Sequence, residues 1–229
     1  RKFKNQARRL CSGEWCILLD CDEFIPEWQF GAIRRALATT SLSVLPLKYL
    51  HFYGNYRVIN REPEKYRWPV LKHTVHRNDP SIEVWGDGSN VGRNGSLDEG
   101  DRTVGTEPVA EVHHFGFVRR AARLRQKWRD QRMRNASNRW GWLPGFVYDL
   151  LPHDWADADL LPSMEIYDGP LVKAVRDEPD EFVRDGYRLL DLLRRRDRAR
   201  GRPDAAADSS GYGAAVALGA PFSASGVRV

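Results

Sequence analysis

The segment EWCILLDCDEFI, residues 14–25, runs through apolar side chains and then crowds acids together at Asp20, Asp22 and Glu23. Carboxylates this close repel one another and are costly to remove from water. A bound cation, or chemistry that needs a proton carrier, is the usual compensation. The apolar run predicts a short buried strand over 15–19 with the acids at its carboxyl end. A solvated turn after a core strand is the alternative.

The order of apolar, β-branched and aromatic residues predicts an α/β fold, a mixed sheet flanked by helices. Helices are expected at 3–11, 26–38, 117–138 and 178–198. Strands are expected at 15–19, 42–50, 55–60, 68–77 and 108–114. Six glycines between residues 86 and 105 predict a mobile loop, which would order as a flap when substrate binds.

Composition divides the chain into three parts. Residues 1–140 form the predicted main domain, and residues 141–198 form a helical and irregular C-terminal extension. Residues 199–229 contain too little apolar mass to offset the entropy of ordering, so we expect a disordered tail.

Charge and cysteine usage indicate where the protein works. The formal net charge of +5 favours anionic partners such as phosphates or a membrane surface. Eight Trp and eight Tyr residues can stack on sugars or fill a core. Three cysteines, an odd number, indicate a reducing compartment, and no apolar run approaches the roughly 18 residues of a membrane span. We therefore expect a cytoplasmic protein, either soluble or peripheral at the inner face of the membrane.

A second candidate feature is EVHHFGFVRR, residues 111–120, a predicted strand with two histidines followed by an aromatic residue, a glycine and basic residues. A neutral imidazole is a good ligand for a borderline ion such as Mn²⁺. Adjacent strand residues face opposite ways, so only one of His113 and His114 can point into a given site. A structural role for both is the alternative.

Together, SGEWCILLDCDEFIPE and HHFGFVRRAARLRQKW resemble bacterial family 2 glycosyltransferases of the GT-A fold, the nucleotide-diphospho-sugar transferase fold. In that family a strand of pattern G-[DE]-W-x-h-x-h-D-x-D-E (h, apolar) supplies a metal-binding DxD, and a later H-aromatic-G returns a histidine to the same cation. The resemblance covers residues 1–135. It implies a partial GT-A fold and metal-dependent transfer of a sugar from a nucleotide-sugar donor to a carbohydrate or lipid-linked acceptor.

The resemblance also implies roles for individual residues. Asp20 would lie near the ribose of the donor and the metal, Asp22 would ligate the metal, and His114 would be its third contact. The ion, Mn²⁺ or Mg²⁺, would neutralise the departing nucleotide diphosphate.

One departure from the family concerns the beginning of the chain. The nucleotide-recognising half that precedes the DxD strand in the family has no counterpart ahead of Arg1. We therefore expect either a fragment of a longer enzyme or a chain that cannot hold its nucleotide as the family does.

The catalytic base is the least marked part of the pattern. An inverting transferase needs a carboxylate that accepts the proton of the acceptor hydroxyl. The stretch HRNDPSIEVWGDG offers Asp79, Glu83 and Asp87. Asp87 is favoured because it lies where a strand breaks into the glycine-rich loop, and a turn aspartate is the alternative.

The segment from Arg119 to Arg139 holds nine Lys or Arg residues and one acid. Its predicted buried stripe consists of Phe117, Ala121, Leu124 and Trp128. The donor diphosphate is the expected partner of Arg119 and Arg120 at the N-terminal end of the predicted helix. Anionic lipid is a candidate partner of the other basic residues, and a solvated cationic face is the alternative.

Two rival functions remain. ILLDCDEFI also resembles the first motif of haloacid-dehalogenase-like phosphatases, and VWGDGSNV resembles their late G-D-G-x-N-D motif, although Glu23 and Val91 depart from the pattern. The other rival is a non-catalytic module whose Arg-rich helix binds anions. Nucleic acid is not an expected partner, because no nucleic-acid-binding motif is present.

Overall fold

The structure is a computed structural model and describes residues 2–66, 68–85, 90–93, 102–119, 123, 126–127, 161–176 and 184–201. The strands in this part are β1 Trp15–Ile17, β2 Glu23–Phe24, β3 Val44–Tyr53, β4 Asn55–Asn60, β5 Leu71–Arg77, β6 Ile82–Trp85, β7 Asn90–Arg93, β8 Glu111–Phe117 and β9 Met164–Ile166. The helices are α1 Lys2–Arg9, α2 Phe30–Thr39, α3 Lys173–Arg176 and α4 Arg184–Ala199. Short 3₁₀ turns occur at Glu27–Gln29, Pro63–Tyr66 and Leu161–Ser163. The predicted α/β class is confirmed.

The chain forms two compact units. The described residues of the first unit come from Arg1–Tyr49 and Pro69–Val112, and those of the second come from Leu50–Trp68 and His113–Ala205. The predicted boundary at residue 140 and residues 202–229 of the predicted tail lie outside the described residues. The expectation of a disordered tail from residue 199 is wrong at its start, because Ala199 is the last residue of α4.

In the first unit, β5 pairs antiparallel with β1 on one side and with β3 on the other. Alongside β3, the N–H groups of Lys48 and Val109 donate to the carbonyls of Ala110 and Pro46, so this contact runs parallel and the sheet is mixed. Buried apolar side chains from these strands form the core: Leu45, Leu47, Tyr49, Val75 and Val112. The strand that precedes the acids, β1, is thus held in this sheet by its antiparallel pairing with β5.

Strands β6 and β7 form an antiparallel hairpin from Ile82↔Arg93 to Trp85↔Asn90. Val84 and Val91 face inward and pack with Val44 and Val104. The expectation of a mobile loop over 86–105 is wrong for residues 90–93, because this glycine-bearing segment is a paired strand with a buried valine. It is also wrong for residues 103–105, whose backbone bonds Ser43 and Val44. Residues 86–89 and 94–101 lie outside the described residues.

The second unit is built on the end of β3, β4, β9 and α4. Gly54 joins β3 to β4 with a φ of +65°, a conformation that favours glycine. Strand β9 pairs with β4, so the extension over 141–198, which was expected to be helical and irregular, also contributes a strand. Helix α4 packs over this sheet, and the buried cluster is Tyr53, Val58, Trp68, Phe117, Met164, Leu189, Leu190 and Leu193.

The helix expected at 117–138 does not begin at Phe117, because β8 continues through that residue. Phe117 instead stacks on Trp68, with 4.3 Å between ring centroids and an interplanar angle of 4°. Arg123, Gln126 and Lys127 are helical, whereas the other stripe residues, Ala121, Leu124 and Trp128, lie outside the described residues. Within the described part of the chain, no helix has the length and apolar character to cross a membrane.

Cys16 lies buried on β1, whereas Cys11 and Cys21 are exposed, and all three are free thiols. Burial, with a smaller contribution from the neighbouring Cys11 thiol, raises the pKa of Cys16 to about 11. Because the thiolate is the reactive form, we expect iodoacetamide at pH 8 to modify Cys11 and Cys21 well before Cys16. Mass spectrometry of timed digests measures this order, and urea should abolish it. Equal rates in the folded protein would contradict the assigned burial of Cys16.

Candidate functional site

Asp20 and Asp22 lie in the turn between β1 and β2, and Glu23 is the first residue of β2. Strand β1 ends at Ile17, and the N–H of Glu23 donates to the carbonyl of Asp20 at 3.1 Å. The prediction of acids after a short strand is confirmed. The predicted strand over 15–19 is two residues too long, so a turn, and not strand alternation, sets the directions of Asp20 and Asp22. We call residues 20–23 the acidic turn.

Asp20 lies half-exposed between two ammonium groups. Its Oδ1 is 2.5 Å from Nζ of Lys4 on α1, and its Oδ2 is 3.8 Å from Nζ of Lys72 on β5. Both cations offset the repulsion among the carboxylates. The Lys4 side chain is 28% exposed, so its pair with Asp20 contributes about 0–1 kcal/mol and can be exchanged at low cost.

Glu23 is the buried member of the acidic turn. Its Oε1 accepts from the Tyr49 hydroxyl at 2.6 Å, and its Oε2 accepts from the backbone N–H of Asp20 at 2.7 Å. Lys72, whose side chain is fully buried, also donates to Oε2. Sequence reasoning missed Tyr49 and Lys72. The available signal was LKHTVHR, which places Lys72, Thr74 and His76 on one face of a strand.

In the second unit, the two histidines of β8 face opposite ways, as predicted. His113 is fully buried against the rings of Phe52 and Tyr167. His114 is half-exposed, and its Nδ1 is 3.0 Å from Nδ1 of His51, which sequence reasoning also missed. One Nδ1 donates to the other, so a metal bound by His114 would be held through Nε2.

Of the other predicted site residues, the structure describes Arg119 only. Asp87 and Arg120 lie outside the described residues. Arg119 is exposed, and its Nε donates to the carbonyl of Gly116 at 2.9 Å. The segment VWGDGSNV, which resembles the late phosphatase motif, has its described residues in β6 and β7. In this hairpin, Asn90 Oδ1 accepts from the N–H of His73 at 3.2 Å.

The two other candidate bases have local partners. Oδ1 of Asp79 accepts from the N–H and the hydroxyl of Ser81, and its Oδ2 is 3.0 Å from Arg93. These hydrogen bonds, with the Arg93 charge, hold the pKa of Asp79 below its usual value, which makes it a poor base. Glu83 lies 3.4 Å from Arg9 in an exposed pair.

Oxygen donors of the acidic turn suit a hard divalent cation. Among the residues that the structure describes, no group of three or more His, Cys, Asp and Glu side chains could hold a metal ion. Mg²⁺ and Mn²⁺ can be bound through one or two carboxylates, with the remaining positions taken by water and substrate phosphates. Asp20 and Asp22 fit that requirement, provided that the ion replaces Lys4.

A cavity of about 460 Å³ lies elsewhere in the first unit, at the C-terminal end of α2. Ala36, Thr40, Leu45 and Val104 are among its lining residues. Its mainly apolar and threonine lining does not include the acidic turn, so the candidate site rests on the turn itself.

No family model, curated protein or solved structure matches this chain.

Proposed function

We propose that this chain carries the metal-binding part of a GT-A-type glycosyltransferase, which moves a sugar from a nucleotide-sugar donor to a carbohydrate or lipid-linked acceptor at the cytoplasmic face of a membrane. The observation that carries the proposal is the difference in burial among the three acids of the acidic turn. Glu23 is buried and committed to Tyr49 and Lys72, whereas Asp20 and Asp22 are half-exposed. A turn with one buried acid and two half-exposed acids suits a cation that bridges protein and diphosphate.

The proposed roles follow from these positions. Asp22 binds the cation directly, and Asp20, once released from Lys4, contributes the second carboxylate. His114 keeps only the role that the sequence resemblance implies, because it belongs to the second unit, whereas Asp20 and Asp22 belong to the first. When bound, the cation acts as a Lewis acid that stabilises the charge on the departing diphosphate.

Replacing Asp22 with asparagine tests the proposal because it removes one charge at nearly constant shape. We expect Mn²⁺ binding, followed by electron paramagnetic resonance of the free ion, to weaken by about 10-fold or more. Release of nucleoside diphosphate from a panel of UDP-, GDP- and dTDP-sugars should fall by about 100-fold or more.

Asp191→Asn is the matched control, because Asp191 is an exposed carboxylate on α4, paired with Arg194. It should leave both measurements unchanged. Wild-type Mn²⁺ affinity in a folded Asp22→Asn variant would remove the central support for the proposed function.

A further inference from the structure

Hydrogen bonds between Glu23 and Asp20 join the two ends of the acidic turn. The backbone N–H of Glu23 donates to the carbonyl of Asp20 at 3.1 Å, and the backbone N–H of Asp20 donates to Glu23 Oε2 at 2.7 Å. The two residues that bound the turn are therefore joined in both directions, and the direction of Asp22 between them depends on where the Glu23 carboxylate is held.

Two strands hold that carboxylate. Tyr49 on β3 donates to Oε1, and Lys72 on β5 donates to Oε2. Lys72 also lies 3.8 Å from Oδ2 of Asp20, so one buried ammonium faces both a buried and a half-exposed carboxylate. We call Glu23, Tyr49 and Lys72 the anchoring network.

Stability alone is a weak reason for this arrangement. A buried ion pair costs desolvation that its attraction often fails to recover, and a neutral pair of similar volume is commonly as stable. Both oxygens of the Glu23 carboxylate have defined donors here, which restricts where the carboxylate can lie. The cost is consistent with a requirement for a fixed turn.

We propose that Glu23, Lys72 and Tyr49 are positioning residues that hold Asp20 and Asp22 in the arrangement that binds a divalent cation and its diphosphate. The identity of the bound group rests on the proposed function, whereas the control of the turn geometry does not. The network acts through the turn, as outer partners of metal ligands commonly do.

The test separates geometry from stability with the double variant Glu23→Gln/Lys72→Met. It removes both charges, so neither is left buried without its partner. Glutamine has one acceptor oxygen in place of two, so it cannot serve Tyr49 and the Asp20 N–H through separate oxygens. The matched control is Glu111→Gln/Lys48→Met, which removes an exposed pair 3.6 Å apart in the same unit.

Two measurements are made well below the unfolding temperature. Amide hydrogen exchange at Asp20 and Glu23 should be at least about 10-fold faster in the double variant, with Leu45 and Leu47 unchanged. Mn²⁺ affinity should fall by about 10- to 100-fold. The control should match wild type in both measurements.

Wild-type exchange rates at Asp20 and Glu23 in the folded double variant would overturn the inference, and so would wild-type Mn²⁺ affinity. If the wild-type protein itself binds no Mn²⁺, the proposed function loses its metal, and the exchange rates alone decide the inference. If the double variant does not fold, Tyr49→Phe carries the same measurements, because it removes one hydrogen bond from Glu23 and no charge.

Discussion

Replacing Lys72 with methionine should lower the free energy of unfolding by about 3–5 kcal/mol. The side chain of Lys72 is fully buried and that of Glu23 is 2% exposed, so the substitution leaves a carboxylate in the interior without its ammonium partner. The two hydrogen bonds from Tyr49 and the Asp20 N–H do not supply the missing charge. Urea unfolding followed by circular dichroism measures the loss.

Lys48→Met is the control for the same change at an exposed pair. The Lys48 side chain is 50% exposed and lies 3.6 Å from Glu111, so we expect a loss of at most about 1 kcal/mol. Adding Glu23→Gln to Lys72→Met should restore part of the stability, because no charge is then left alone. Equal losses for Lys72→Met and Lys48→Met would show that Lys72 is not a buried partner of Glu23.

Replacing Leu193 with alanine should cost about 2–5 kcal/mol of unfolding free energy. Leu193 is 0% exposed and belongs to the cluster with Trp68 and Met164, so truncation leaves a cavity between α4 and the sheet of the second unit. Thermal and urea unfolding, followed by circular dichroism, measures the effect.

The adjacent Leu192 provides a control on the same helix. It is 44% exposed, so Leu192→Ala should change stability by no more than about 0.5 kcal/mol. Both variants make the same change in helix propensity, which isolates the cavity term. Similar effects of the two substitutions would mean that α4 does not pack through Leu193.

Local patterns predicted the positions of three strands. Strands expected at 42–50, 55–60 and 68–77 are observed as β3, β4 and β5, because β-branched and aromatic residues dominate these segments. The β6–β7 hairpin was missed because its glycines resemble a loop. Its strand character comes from the burial of Val84 and Val91 beside Val44, a contact between segments distant in sequence.

The candidate site divides in the same way. Asp20, Asp22 and Glu23 could be selected from sequence, because crowded carboxylates after an apolar run form a local signal. The burial of Glu23 could not be predicted from sequence, since its partners Tyr49 and Lys72 come from other strands. Which residues face each other across a sheet depends on strand register, and a one-residue shift would turn Lys72 to the opposite face.

The anchoring network makes the geometry of the acidic turn depend on contacts between segments that are distant in sequence. Tyr49 and Lys72 lie 26 and 49 residues along the chain from Glu23, so the acidic turn gains its anchors only after β3 and β5 have been brought to it. Closing loops of that length costs entropy before any contact is gained. We therefore expect cation binding to report completion of the first unit, and partly folded chains to lack it. Completion of the first unit and cation binding by the acidic turn are thereby both expected to depend on Glu23.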